Sequence, residues 1–333
     1  MLDLGRLDGV SIGSLGEVQA IACRNVYYWK SSRTLKLVTP DKTYSVLMSG
    51  IVKNREQLWS DYGTTVKVVV QYMDQSYGKT YMLDAPFYFG TKQTFTKQDG
   101  SSFTGIGLVS EYTMAISPNR SEHASYSLFD YPEKTNPDSY RRGGGNNRWM
   151  HSNLRQWLNK SGTNWYTAQH EYDAASETLN KMYAFLSCVP PSFSDACIPV
   201  KMLTKTATVD GGGYDTTYDK FFALSLSQIN CKCTDKSVAT GDESEGRYWE
   251  YWRNKTGSSD YITGYSGVDF GTSPGRKIEH IYEFLGYPRI QWWLRSAYLN
   301  TSYIVFFVGV NGDVNWRPAE SAISGFLPAC VIG

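Results

Sequence analysis

The chain lacks most of the features that assign a function at sight. No run approaches the ~18–20 apolar residues of a membrane-spanning helix. The opening MLDLGRLDGVS has no basic-then-apolar pattern of a secretory leader. Insertion into a membrane is therefore not expected. Net charge is also lacking: 33 Lys and Arg stand against 32 Asp and Glu, leaving +1. No long-range field draws the protein to DNA, RNA or an anionic membrane, so no nucleic-acid partner is expected. The six cysteines (Cys23, Cys188, Cys197, Cys231, Cys233 and Cys330) are sparse for 333 residues and form no disulfide framework. Reduced, mostly buried thiols are the expectation.

Catalytic constellations are equally scarce. Gly271-Thr-Ser273-Pro-Gly275 matches G-x-S-x-G in form. A nucleophile elbow, however, needs the amide of the residue after the serine for its oxyanion hole, and Pro274 has no N–H. The four histidines (His123, His151, His170 and His280) make no H-x-x-x-H pair, and Cys231-Lys-Cys233 is a lone C-x-C without a second ligand pair. Gly143-Gly-Gly145 and Gly211-Gly-Gly213 lack the Lys-Ser/Thr ending of a phosphate loop. The acidic residues are too dispersed to nominate an acid–base pair. The reading is a protein that is not an enzyme, with no catalytic residues, no metal and no cofactor.

Aromatic residues, by contrast, are abundant: 25 Tyr, 14 Phe and 10 Trp. Tyr and Trp offer rigid amphipathic contact area, which suits a recognition surface, and β-rich cores favour them as well. Ser14-Leu-Gly-Glu17 reads as a capping box for a helix over about 15–24. Thr34–Thr39 and Thr43–Gly50 alternate around Pro40-Asp41 as a hairpin, and Val66–Tyr72 is a strand. Residues 90–148 read as long loops broken by one strand near Gly105–Ile116. Ser152 caps a helix bearing Leu154, Trp157 and Leu158, and Ala174–Leu186 reads as a second helix. In the loop-rich stretch from Pro190 to Ser273, a short helix is expected at Ser225–Asn230, and Trp249, Tyr251 and Trp252 look like an aromatic anchor. Near the end, Asn311-Gly312 between Tyr303–Val310 and Asp313–Trp316 signals a hairpin on a type I′ turn.

Several segments together resemble bacterial and phage proteins of C-type-lectin-like, formylglycine-generating-enzyme-type fold. Some of these are the variable proteins of diversity-generating retroelements. The resemblance runs from Leu15-Gly-Glu-Val-Gln-Ala-Ile21 through Asn147-Arg-Trp-Met-His-Ser-Asn-Leu-Arg-Gln-Trp-Leu-Asn159 and Phe185-Leu-Ser-Cys-Val-Pro190. It continues in Thr217-Tyr-Asp-Lys-Phe-Phe222, Gly246-Arg-Tyr-Trp-Glu-Tyr251 and Trp292-Trp-Leu-Arg-Ser296. Where the family often closes on Gly-Val-Arg-Pro-Ala, this chain has Gly325-Phe-Leu-Pro-Ala329, so no role is borrowed from that arginine.

The resemblance implies an α+β, C-type-lectin-like fold with antiparallel β-hairpins, two main helices and long loop insertions. It would be one elaborated domain over 1–333: an N-terminal helix and hairpin at 14–52, an insert-rich middle at 85–290, and a variable ligand-binding segment at 297–324. Such segments vary at template adenines, so asparagine codons become Tyr, Phe, Ser, Asp, Gly, Ile or Leu. That set excludes Lys, Met, Gln, Glu and Trp. Ala297–Ser324 contains no Lys, Met or Gln, while its one Trp (Trp316) and one Glu (Glu320) would be unvaried positions or come from other codons.

The implied ligand-binding positions begin with Tyr298, Leu299, Asn300, Thr301 and Tyr303. They continue along the next strand with Ile304, Phe306, Phe307 and Gly309, then with Asp313, Asn315, Trp316 and Arg317, and end with Ser321 and Ile323. Tyr303, Phe307 and their neighbours are expected to face solvent, although a strand covered on both sides would explain the same pattern. Trp292, Trp293 and Arg295 are assigned to the scaffold, the arginine bonding carbonyls of adjacent loops. The expected function is a hypervariable receptor-recognition protein, of a phage virion (tail) or a bacterial cell surface. Its partner would be a protein or carbohydrate ligand on a bacterial surface, with homo-oligomers allowed. The alternatives are a fixed-sequence lectin-fold carbohydrate or cell-surface binder, and a relative of the formylglycine-generating enzymes.

Overall fold

The computed structural model describes residues 6–7, 10–11, 34–74, 81–114, 128–175, 177–239, 243–264, 276–277, 279–280, 291–322 and 324–333. The helix expected over 15–24, the Gly271–Gly275 stretch, Cys23, His123 and Ile323 lie outside them.

Pro40 and Asp41 turn the chain as their residue types require. Thr34–Val38 (β1) and Thr43–Leu47 (β2) pair antiparallel across them, Val38 opposite Thr43. The second strand is shorter than expected, because Met48–Lys53 (α1) coils to bury Met48 and Ile51. A second helix, Arg55–Tyr62 (α2), follows, and then Lys67–Asp74 (β3), close to the expected Val66–Tyr72. The reading of 90–148 as loops with one strand is corrected at its start. Tyr81–Thr96 (β4) is a 16-residue strand that pairs with Ser102–Ser110 (β5).

Next come Ser139–Gly144 (α3) and Asn153–Leu158 (α4). Ser152 caps α4 as anticipated, its hydroxyl accepting the Arg155 amide, with Leu154, Trp157 and Leu158 buried. The helix expected over 174–186 is reduced to Glu177–Asn180 and a 3-10 turn at Phe185–Ser187. The chain there bonds to its neighbour instead of to itself: Asn164 N–H donates to Asn180 O, Ala184 N–H to Gly162 O, and Leu186 N–H to Lys160 O. The helix expected at Ser225–Asn230 is a run of turns, ended by Asn230 at φ 64°.

Val200–Lys205 (β6) and Tyr214–Asp219 (β7) form a small hairpin, followed by Phe221–Phe222 (β8). Trp249 precedes the helix Glu250–Thr256 (α5), and with Tyr251 and Trp252 it is buried in the core. The chain ends in Gln291–Ala297 (β9), Ile304–Val308 (β10), Val314–Pro318 (β11), Ser324–Phe326 (β12) and Ala329–Ile332 (β13).

Two sheets organise these strands. One has seven strands, all antiparallel, in the order β8-β13-β5-β4-β3-β1-β2; the other has four, in the order β11-β10-β9-β12, with β9 and β12 parallel. The Asn-Gly hairpin exists between β10 and β11, but not as a type I′ turn. Asn311 does not take the positive φ that turn needs, and only Gly312 does, at φ 80°. The loop is longer: Gly309 N–H donates to Asp313 O and Gly312 N–H to Gly309 O. Among the described residues the molecule is mixed α+β, with mostly antiparallel sheets and short helices, the longest being the eight residues of α2. None of these helices is long and apolar enough to cross a membrane.

Candidate functional site

The segment from residue 297 to 324 is held at its base by buried residues. Trp292 and Trp293 of β9 lie in the core, Trp292 stacked on Trp252 at 5.5 Å. Arg295, fully buried, donates to the carbonyls of Ala223 and Glu245 and to Gln228 Oε1, so it bonds loop carbonyls as expected. Burial pulls its pKa down to about 10, which the Glu245 carboxylate partly opposes. That carboxylate is itself satisfied, by Lys205 N–H at 2.8 Å and the Ser296 hydroxyl at 2.5 Å.

Beyond β9 the chain turns through residues 298–303 before β10, and Asn147 sets the shape of this loop. Its side-chain Nδ2 lies 2.7 Å from Thr301 O, 3.1 Å from Ile304 O and 3.2 Å from Tyr298 O, while its backbone N–H donates to Ser302 O. Arg141 Nε adds a bond to Ser302 O, and the Arg141 guanidinium pairs with Asp210. Thr208 N–H donates to Leu299 O, and Leu299 N–H to Val238 O. These contacts grip the backbone of the loop. Its side chains at Tyr298, Asn300, Thr301 and Tyr303 are exposed or half-buried.

A second layer of polar residues holds Asn147 in turn. Asp130, fully buried, accepts the Asn146 and Asn153 amides and Asn153 Nδ2. Burial, followed by the charge of Asp173, pushes its carboxyl well above the ordinary range. Glu133 accepts Asn146 Nδ2 and Asn136 Nδ2 and lies 3.0 Å from His170 Nε2. Burial would raise Glu133, but the His170, Asn146 and Asn136 bonds outweigh it and hold the carboxyl low. His170 packs on His151 with ring centroids 4.8 Å apart, so two histidines that look scattered in sequence meet here. Burial, then the charges of Arg148 and His170, pulls His151 down to about 4. Among the described residues no group of three or more His, Cys, Asp or Glu is placed to hold a metal ion.

The expected binding positions divide. Leu299, Ile304, Phe306, Phe307 and Gly309 are buried, which corrects the reading of them as solvent-facing. β10 is covered on both sides: Phe307 meets Trp293 at 6.2 Å, and Phe306 meets Tyr298 at 5.8 Å. Tyr298, Asn300, Thr301, Tyr303, Asp313, Asn315, Trp316, Arg317 and Ser321 remain half-buried or exposed. Trp316, 37% exposed, lies 5.6 Å from the Tyr298 ring. Arg317 on the opposite face of β11 sits over Phe307 at 5.3 Å.

The structure adds two residues that the sequence did not single out. Tyr140 of α3 is 64% exposed and stacks on Tyr303, centroids 5.2 Å apart and planes 13° apart. Tyr303 fits there because Gly144 leaves the space, since a Cβ at Gly144 would come within 2.4 Å of its ring. Val209, 64% exposed, follows the Thr208 amide that bonds Leu299. Nothing local marks Tyr140 or Val209 as surface partners. The only sequence signal near them is the Arg141-Arg142 pair, whose Arg141 anchors the loop. The surface thus offers phenol, indole, amide and guanidinium groups for stacking and hydrogen bonding.

A family model described as Domain of unknown function (DUF6273) matches residues 121–333. No curated protein and no solved structure matches the chain.

Proposed function

The chain belongs to that family, and from the surface it carries we propose that it is a non-catalytic ligand-binding protein. The observation that carries this reading is the grip on the 298–303 loop through its carbonyls and amides. A loop held largely by its backbone leaves an exposed side chain such as Asn300 free to change at only about ±0.5 kcal/mol. Thr301 Oγ1, by contrast, accepts the Ile304 amide, and the Ser302 hydroxyl donates to Asp138. A few aromatic or arginine anchors then supply most of a binding energy. Tyr298, Trp316, Tyr303 and Tyr140 are the aromatic anchors of this surface, with Asn300 as its polar contact; Asn315 and Arg317 stand on the other face of β11.

We extend the proposal to the narrower readings drawn from the resemblance. The scaffold is C-type-lectin-like, and residues 297–324 are the segment that a retroelement diversifies. The ligand is a protein or carbohydrate on a bacterial surface. The buried thiols favour a binder over a formylglycine-generating-type enzyme: burial pushes Cys231 up to about 11 and Cys330 well above its usual range, away from nucleophilic thiolate.

The test is a library that randomises Tyr298, Asn300, Thr301, Tyr303, Asn315, Trp316, Arg317 and Ser321 together. Most members are expected to stay protease-resistant, and selection on bacterial surface glycans and proteins is expected to yield distinct binders. Loss of protease resistance in most members would refute the division of labour between backbone and side chains. For the diversification reading, substitutions in natural copies of the gene should concentrate in codons 297–324; even spread along the chain would remove it.

A further inference from the structure

A second binding site lies away from this surface, where the N-terminal sheet meets α5. A cleft of about 470 Å³ opens between Lys67, Tyr88, Tyr251, Lys255, Thr64 and the Pro40 turn. That volume falls in the range of small-molecule sites, about 300–1,000 Å³. Its wall is aromatic: the Tyr88 and Tyr251 rings lie 5.0 Å apart. Two ammonium groups approach the same wall. Lys67 Nζ is 4.7 Å from the Tyr88 centroid, and Lys255 Nζ is 5.8 Å from it and 5.5 Å from that of Tyr251.

Charge is not balanced within the cleft. Lys67 pairs with Glu111 at 3.2 Å, and the Tyr88 hydroxyl donates to the same carboxylate at 2.8 Å. Lys255 has no carboxylate partner among the described residues, and no acidic side chain lines the cleft. One positive charge, on exposed Lys255, is left beside an apolar wall and open to an incoming anion. The rim is polar, with Asn254 Nδ2 donating to the Thr64 hydroxyl at 2.9 Å.

We propose that this cleft binds a hydroxylated six-membered ring bearing one anionic group, a sugar acid or a sugar phosphate. The ring lies against Tyr88 and Tyr251, the anion meets Lys255, and Thr64 and Asn254 meet ring hydroxyls. This site uses none of the residues proposed above for ligand recognition, so either reading stands if the other fails.

Isothermal titration calorimetry on the full chain with glucuronate, glucose 6-phosphate, glucose and inorganic phosphate tests it. At least one of the two charged sugars is expected to bind about tenfold or more tighter than both glucose and phosphate, the difference that one charge-assisted hydrogen bond makes. Tighter binding of glucuronate would mark a carboxylate as the natural anion, and tighter binding of glucose 6-phosphate a phosphate. Lys255→Gln, at an exposed position, should weaken the charged sugar about tenfold. Lys92→Gln, whose lysine pairs with Glu56 outside the cleft, should change nothing. Equal binding of phosphate alone, no binding of either charged sugar, or an unaffected Lys255→Gln would each overturn the proposal.

Discussion

Replacing Asn147 by alanine separates the residue that shapes the 298–303 loop from the side chains that the loop exposes. Asn147 is fully buried, and its amide serves the carbonyls of Tyr298, Thr301 and Ile304. An amide has two hydrogens, so two of these bonds carry full strength and the third is shared. Each is worth about 1–1.5 kcal/mol net, and a carbonyl left buried without a donor adds to the loss. The expected destabilisation is about 2–4 kcal/mol. Asn147 Oδ1 has no partner among the described residues, so removing it returns a little of that cost.

Urea unfolding followed by tryptophan fluorescence measures the effect, because seven tryptophans among the described residues are buried in the core. With a slope of roughly 3 kcal/mol per molar urea, the midpoint should fall by about 1 M. The comparison is the variant Asn300→Ala/Asn311→Ala/Ser321→Ala, which should move the midpoint by much less. An Asn147→Ala midpoint within ~0.2 M of the parent, or a triple variant as damaged as Asn147→Ala, would refute the reasoning.

Arg295→Met should cost about 3–5 kcal/mol, because it strips the donor from two buried carbonyls and leaves the Glu245 carboxylate without its cation; Arg295→Lys, which keeps the charge but not the fork, should fall between, and a Met variant as stable as the parent would overturn this account. His151 gives a pH dependence whose sign follows from its lowered pKa. The unfolded chain takes up a proton near 6.5 that the folded protein refuses until about 4, so its contribution to stability is full above 6.5 and is lost as pH falls toward 4. The groups facing the imidazole are Arg148, Arg141, His170 and Asp215. His151→Gln should therefore flatten the stability–pH curve between 4 and 6.5 by up to one proton, and an unchanged slope in urea midpoints across that window would contradict the assignment.

The parts of the fold legible in the sequence were those whose signals are local. The Pro40-Asp41 hairpin and the Ser152 cap depend on a few adjacent residues, and both form. The strand over 81–96 was missed although its alternation persists: Ala85, Phe87, Phe89, Thr91 and Phe95, every one in the same period-2 phase, are buried. Gly90 and the polar run Thr91-Lys-Gln-Thr94 interrupt the apolar signal and read as loop composition. The helix expected over 174–186 failed for another reason, since its backbone partners lie at 160–164 and no local propensity reports them.

The site was half legible for the same kind of reason. Trp316 is exposed and Tyr298 half-buried, whereas Phe307 is covered by Trp293 of the neighbouring strand. An alternating strand does not say whether its second face is covered, because the cover comes from distant residues.

The position of β13 has a consequence for how faulty copies are removed. Ala329–Ile332 pairs with Ile106–Val109 on one side and with Phe221–Phe222 on the other, so a strand that follows the 297–324 segment in the chain sits inside the sheet. Every codon of the 297–324 segment is read before it. A premature stop or a shifted frame in that segment deletes or scrambles β13 and leaves β5 as an open edge, prone to aggregation and proteolysis. In-frame substitutions leave β13 untouched. The fold thereby acts as its own proofreader: only chains translated correctly through residues 297–324 can complete the sheet.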